Sequence, residues 1–200
     1  MTRVVGGTRG GRRLVVPPGG GTRPTSDRAR EGLFSTVAAV RGDLSGARVL
    51  DLYAGSGAVG LEALSRGAAH ALLVEAAPRA ARVARANAAA LALPGAQVRA
   101  MPVARLVSGP PPGPAYDLVF LDPPYDLAGD ELARVLADLV AHGWVAPGGL
   151  VVVERASRDA PPPWPPGVVA DRARRYGEAT LWYGRAVLSP AGESVAPAQR

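Results

Sequence analysis

The sequence contains no cysteine and no lysine. Without thiols there is no disulfide scaffold, no cysteine zinc site and no thiol nucleophile. Two histidines, His70 and His142, stand far apart, so no metal site is expected. No apolar run reaches the length of a membrane span. The opening MTRVVGGTRGGRRL lacks the apolar core of a secretory signal. A soluble, cytoplasmic protein without a membrane partner is the simplest expectation. Aromatic residues make up only 5% of the chain, and Trp144, Trp164 and Trp182 are read as packing residues. What remains is globular: 200 residues, 48% hydrophobic and 20% charged, suit one domain with a small appendage.

The missing lysine makes every basic side chain except histidine an arginine, and their placement is uneven. Residues 1–30 hold seven arginines (3, 9, 12, 13, 23, 28, 30) against one acid, Asp27. The remaining sixteen arginines meet sixteen acids, so the net charge of +6 sits in the first thirty residues. Such an arm on a neutral domain is an electrostatic footprint for a polyanion. Composition alone leaves a merely solvated tail equally open.

Along the chain, residues 3–16 suit a small hairpin or an extended arm, and GGG (19–21) a joint. RPTSDRAREGLFSTVAAV (23–40) starts a helix, with Thr25, Ser26 or Asp27 as cap and Leu33, Phe34, Val37 and Val40 as its apolar stripe. From residue 47 strands and helices alternate. Strands fall at 47–53, 70–75, 97–101, 116–122 and 148–155. A Gly-rich turn and helix occupy 55–67, and further helices fall at 78–93 and 129–143. Near-continuous apolar strands between helices argue for an α/β fold with a parallel sheet. VVADRARRYG (168–177) and ATLWYGRAVL (179–188) then predict a closing β-hairpin. The expected organisation is a basic N-terminal arm or hairpin (1–22), a catalytic domain (23–188) and a disordered tail (189–200).

Gly55, Gly57 and Gly60 have G-x-G-x-x-G spacing between a strand and a helix, the context that a nucleotide-binding loop requires. Glu75 ends the next strand, where a carboxylate can accept from both ribose hydroxyls. A nucleoside-containing cofactor is expected. A dinucleotide would place its pyrophosphate on the helix N-terminus; S-adenosylmethionine (SAM) would place its methionine part over the same loop. Asp51 favours SAM, because an acid can help hold a cationic amino group and would repel a pyrophosphate.

LVFLDPPYD (118–126) ends the fourth strand, which neighbours the first in such sheets, so Asp122 to Tyr125 should lie beside the glycine loop. An exocyclic amine on a base is a poor nucleophile, because its lone pair is delocalised into the ring. Asp122 can accept one N–H and the carbonyl of Pro123 the other. Pro123 and Pro124 make a rigid rim without competing donors, and Tyr125 offers a face on which a flipped base can stack. Taken alone, Asp-Pro-Pro is also a common turn.

These stretches resemble the RsmD family, SAM-dependent methyltransferases that modify the exocyclic N2 of a guanine in 16S ribosomal RNA. The resemblance is carried by VVGGTRGGRRL (4–14), RPTSDRAREGLF (23–34), LDLYAGSGAVGLEALSRGA (50–68), LVFLDPPYD (118–126), VVVERASRD (151–159) and YGEATLWYGR (176–185). It implies the class I, Rossmann-like methyltransferase fold: a seven-stranded, mostly parallel sheet with an antiparallel last strand, preceded by a short basic hairpin or arm. By position it implies that Gly55, Ser56 and Gly57 line the methionine part of SAM and Glu75 holds the ribose. Asp122, Pro123, Pro124 and Tyr125 would bind the target amine and base. Thr25, Asp27 and Arg28 belong to a motif near the pocket, and Asp51 and Thr25 are counted among the cofactor-binding candidates. Arg3, Arg9, Arg12, Arg13, Arg23 and Arg28 form the expected nucleic-acid surface. Arg172, Arg174 and Arg175 could extend it, offset by Asp171 and Glu178. The expected partner is ribosomal RNA, alone or within the small subunit, and the enzyme is expected to be a monomer. RAMPVARL (99–106) departs from the general methyltransferase pattern, having no acid or amide for the adenine. DPPY does not choose the base, and adenine or cytosine amines in DNA or another RNA remain the alternative target.

Overall fold

The computed structural model describes residues 2–17 and 26–187. Expectations for the glycine joint, Arg23, Thr25 and the tail from 189 lie outside them. The elements are β1 (Thr2–Arg3), β2 (Arg13–Leu14), α1 (Asp27–Arg41), β3 (Arg48–Leu52), α2 (Ala58–Ser65), β4 (His70–Glu75), α3 (Pro78–Leu91), β5 (Ala96–Ala100), α4 (Val103–Val107), β6 (Tyr116–Leu121), α5 (Gly129–Ala141), β7 (Val145–Ala156), β8 (Val168–Tyr176) and β9 (Ala179–Ala186). Among the described residues no helix is long and apolar enough to cross a membrane.

The last seven strands form one sheet in the order β5-β4-β3-β6-β7-β9-β8. The strands from β3 to β7 pair in parallel. β9 is antiparallel to both of its neighbours, β7 and β8. The parallel strands are apolar almost throughout because both faces are covered, and successive side chains enter opposite layers. Leu73, Phe120 and Val152 join Leu33, Phe34 and Val37 of α1 and Leu61 of α2 on one face. Leu72, Val119, Leu121 and Val153 join Leu136 and Leu139 of α5 on the other. Trp144 is fully buried in that second layer, stacked on Tyr116 with its indole N–H donating to Gly109 O at 2.7 Å.

Ser26 caps α1, its Oγ accepting from Ala29 N at 3.1 Å. Arg41, at the far end of the helix, meets Asp117 at the start of β6 (3.2 Å). The N-terminus of α1 therefore points toward the carboxyl ends of the parallel strands. Gly32 lets this helix approach the Tyr176 ring, at the end of β8, since a Cβ there would collide with the Tyr176 hydroxyl.

Of the two forms expected for the basic N-terminus, hairpin or extended arm, the described residues form the hairpin, and it is docked on the domain. β1 pairs antiparallel with β2. Val4 and Leu14 belong to the same core as α1 and α2. Val5 N donates to Glu62 Oε2 (3.0 Å) and Arg9 N to Ser65 Oγ (2.8 Å), both on α2. Arg30, one of the seven N-terminal arginines, is wholly internal, between Glu62, Asp27 and the carbonyl of Arg3. It adds nothing to a surface footprint. The short helix α4 was not expected from RAMPVARL; Val103 and Val107, one turn apart, anchor it in the second layer.

Candidate cofactor and nucleic-acid site

The carboxyl ends of β3, β4 and β6 lie side by side, so the segments that follow them share one edge of the sheet. β3 turns abruptly at Tyr53, which adopts the left-handed conformation (φ 61°). A non-glycine residue in that region stores strain, and such residues concentrate at functional sites. Gly55 and Gly57 are also left-handed (φ 54° and 80°). A Cβ at Gly57 would collide with Leu73, whereas a Cβ at Gly55 would meet nothing within 4 Å. The loop is thus pressed onto β4 on one side and open at Gly55.

Two carboxylates hold this loop by its backbone. Glu75 Oε2 accepts from Gly55 N at 2.9 Å, and Oε1 accepts from Ala77 N at 2.8 Å. Asp51 Oδ2 accepts from Gly60 N, in the first turn of α2, at 2.8 Å. Asp51 is only 1% exposed, and burial pushes its carboxyl up to about 7, with the Gly60 bond opposing and Glu75 adding to the shift. Asp51 lies behind the loop and fixes its shape, because its oxygen is committed to the backbone of α2.

Two of the backbone donors around this loop are already committed. A pyrophosphate needs the loop amides and the positive end of the helix. Here Gly55 N and Gly60 N already donate to carboxylates. An anion placed at those two amides would find both donors taken. A ribose diol beside Glu75 fits the open side of the loop at Gly55, and SAM carries one.

Asp122 follows β6 directly, and its N–H donates to Leu52 O at 3.3 Å, across from Tyr53. Asp122 and the glycine loop therefore begin on adjacent rungs of one parallel ladder, where Leu52 pairs with Leu121. Pro123 is buried and Pro124 half-buried. The Pro124 carbonyl accepts from Leu127 N (3.0 Å), turning the chain toward α5. Tyr125 stands out from the surface, 47% exposed.

The expected nucleic-acid residues divide. Arg12, Arg13 and Arg28 are exposed or half-exposed. Arg3 is exposed but pairs with Asp27 at 3.4 Å. Arg9 is half-buried and donates through Nε to Leu91 O (2.7 Å), at the end of α3. With Thr8, Gly10 and Arg12 it lines an open groove of about 390 Å³ against residues 90–92. Arg172, Arg174 and Arg175 lie exposed on the edge strand β8, Arg172 against Asp171 (3.2 Å).

Two features escaped the sequence reading. One is the buried Arg30–Glu62 pair. The other is Asn87 on α3, 3% exposed and bonded to Val15 and Ser56. A signal for Asn87 existed: with Ala80, Ala84 and Leu91 it completes a 4-3-4 buried stripe on an alanine-rich helix. A polar residue on such a stripe needs partners.

A family model described as "Conserved hypothetical protein 95" matches residues 2–185. The chain is 37% identical over 177 residues to ribosomal RNA small subunit methyltransferase D of Escherichia coli K12, covering 88% of this chain and 85% of that protein. The protein of the same name in Haemophilus influenzae is 34% identical, with 80% of each chain covered. Among solved structures, yhhF of Escherichia coli superposes with a TM-score of 0.82 at 34% identity, covering 94% of this chain and 99% of that one. TrmN of Thermus thermophilus, 23% identical with a TM-score of 0.64 over 84% of this chain and 50% of its own, shares the fold. The fold is the Rossmann-like fold of class I methyltransferases.

Proposed function

The chain belongs to the conserved hypothetical protein 95 family, with the small-subunit ribosomal RNA methyltransferases D, and from that premise we propose that it methylates the exocyclic N2 amine of a guanine in small-subunit ribosomal RNA, using SAM. The observation that carries the reading is the ladder of β3, β4 and β6, which brings the glycine loop, Glu75 and Asp122–Tyr125 to one edge.

When bound, SAM supplies an electrophilic methyl on sulfur. The chain's own residues do the positioning. Gly55, Ser56 and Gly57 offer close-approaching backbone to the methionine part, and Glu75 accepts from the ribose. Asp51 keeps the loop in register from behind. Asp122 accepts one N–H of the target amine and the Pro123 carbonyl the other, which turns the nitrogen lone pair toward the methyl. With SAM bound, methyl transfer would put positive charge on the target nitrogen; the Asp122 carboxylate would stabilise that charge and could take the proton the amine gives up. Tyr125 stacks on the flipped base. Arg12, Arg13 and Arg28, with Arg3 and Arg9, take the phosphates on the hairpin side.

The test is nucleoside mass spectrometry of small-subunit RNA from a strain lacking the gene. Loss of one N2-methylguanosine, restored by the wild-type gene, is expected. An unchanged amount would overturn the assignment of base and nitrogen. Calorimetry tests the cofactor separately: S-adenosylhomocysteine should bind and NAD should not.

A further inference from the structure

The hairpin and the glycine loop are far apart in sequence but share one buried side chain. Asn87 Oδ1 accepts from Val15 N at 2.9 Å, and its Nδ2 donates to Val15 O at 2.9 Å. The second Nδ2 proton goes to Ser56 O, also at 2.9 Å. The orientation of the amide follows from these partners: Val15 N is a donor and must face the oxygen, while two carbonyls must face the nitrogen. Turned the other way, the amide would set donor against donor at Val15 N and acceptor against acceptor at the carbonyls. Asn87 thus acts as a short extra strand for the residue that leaves β2, and simultaneously as a strut under the cofactor loop.

We propose that Asn87 is a positioning residue that couples cofactor binding to RNA binding. The inference rests on the reading of the loop as cofactor cradle and of the hairpin as RNA surface. Ser56 lies between the two left-handed glycines, in the loop that would carry the methionine part. A ligand seated there fixes the Ser56 carbonyl. The carbonyl fixes an amide that is 3% exposed and has no solvent to turn toward. The amide fixes Val15, one residue beyond Leu14 and two beyond Arg13. Whatever ordering one ligand has produced, the other need not produce again, and this is positive coupling without a large movement. By reciprocity the RNA raises cofactor affinity by the same factor. The consequence for turnover is that the enzyme holds RNA best when it carries a methyl donor.

The hairpin has a second set of anchors that avoids the loop. Ser65 Oγ accepts from Arg9 N and donates to Gly6 O at 2.7 Å. That separation makes the test specific. The full chain is titrated with a small-subunit ribosomal RNA transcript, with and without saturating S-adenosylhomocysteine. In the wild type, affinity for the transcript should rise about tenfold with S-adenosylhomocysteine present. In Asn87→Ala both ligands should still bind and the factor should fall to near one. Asn87→Asp retains the acceptor for Val15 N and loses both donors; it should also lose the factor, and it serves if the alanine variant does not fold. Ser65→Ala loosens the hairpin without touching Ser56. It should weaken RNA binding while retaining the factor. An unchanged factor in the folded Asn87 variants, or equal loss in Ser65→Ala, would overturn the proposal. So would a wild type that binds both ligands independently, which leaves the methyltransferase reading intact. A wild type that binds neither would overturn both.

Discussion

Arg30 Nε lies 2.8 Å from Glu62 Oε2, and both side chains are completely buried. Neither charge stands alone. Arg30 also reaches Asp27 and the carbonyl of Arg3. Glu62 also accepts from Val5 N and from Arg66 at 2.7 Å, whose guanidinium lies 4.8 Å from the centre of the Phe34 ring. One ion pair therefore ties the hairpin, α1 and α2 together. Removing one partner of a buried pair strands the other charge, which costs about 3–5 kcal/mol. Arg30→Ala should lower the stability by that amount, read as a lower urea midpoint. Arg3→Ala, which removes an exposed pair, should change it by less than about 1 kcal/mol. Similar midpoints for the two variants would refute the distinction.

Asp122→Ala should remove most turnover and leave the affinity for S-adenosylhomocysteine within about twofold. The side chain is assigned to the amine and the nascent charge, a transition-state contact, and such losses fall on kcat and kcat/KM alike. Single-turnover methylation and calorimetry together check this. Full activity in the variant would remove Asp122 from the mechanism.

The Asp51 carboxyl titrates near 7 in the folded protein against 3.8 for an ordinary aspartate, with burial as the main cause. The folded state thus holds a proton that the unfolded chain releases in weak acid. Between those values the native state binds more protons, so stability must fall as pH rises, the loss ending above pH 7. Asp51→Asn keeps an oxygen for Gly60 N and has nothing to ionise. The stability of the asparagine variant relative to wild type should increase from pH 5 to pH 8 by on the order of 2 kcal/mol. Urea midpoints across that range measure it, and parallel curves would contradict it.

Arg12 and Arg13 are exposed on the hairpin, whereas Arg30 is not. Replacing Arg12 and Arg13 by glutamine should weaken RNA binding and flatten its salt dependence. Each phosphate that is no longer neutralised should reduce the slope of log affinity against log salt by roughly 0.7–0.9. An unchanged slope would place the electrostatic footprint elsewhere, with β8 the next surface to test.

The strands and their parallel arrangement were legible because parallel strands buried on two faces need continuous apolar runs, and HALLVE and YDLVFL have them. The glycine loop, Glu75 and DPPY could be placed together because a parallel sheet gathers the carboxyl ends of its strands. The charge of the first thirty residues was legible only as a sum. Which arginines face water depends on partners thirty to eighty residues away, such as Glu62 for Arg30 and Leu91 for Arg9. The bond from Gly60 N to Asp51 was not legible, because position along a strand does not reveal which backbone donor will claim a carboxylate oxygen. Asn87 was not singled out, since its partner Val15 comes from an element with no periodic signal.

The docking of the first hairpin also sets the order in which the molecule can be finished. Val4, Leu14 and Arg30 leave the ribosome early, but their partners and those of their neighbours include Glu62, Asn87 and Leu91. These contacts span up to 82 residues, and contacts of large sequence separation form late and slowly. The hairpin must therefore wait, with Arg30 lacking Glu62 and Arg9 lacking the Leu91 carbonyl, until α2 and α3 have formed. Completion of the basic hairpin surface is thus delayed until the half of the sheet that carries α2 and α3 exists to receive it.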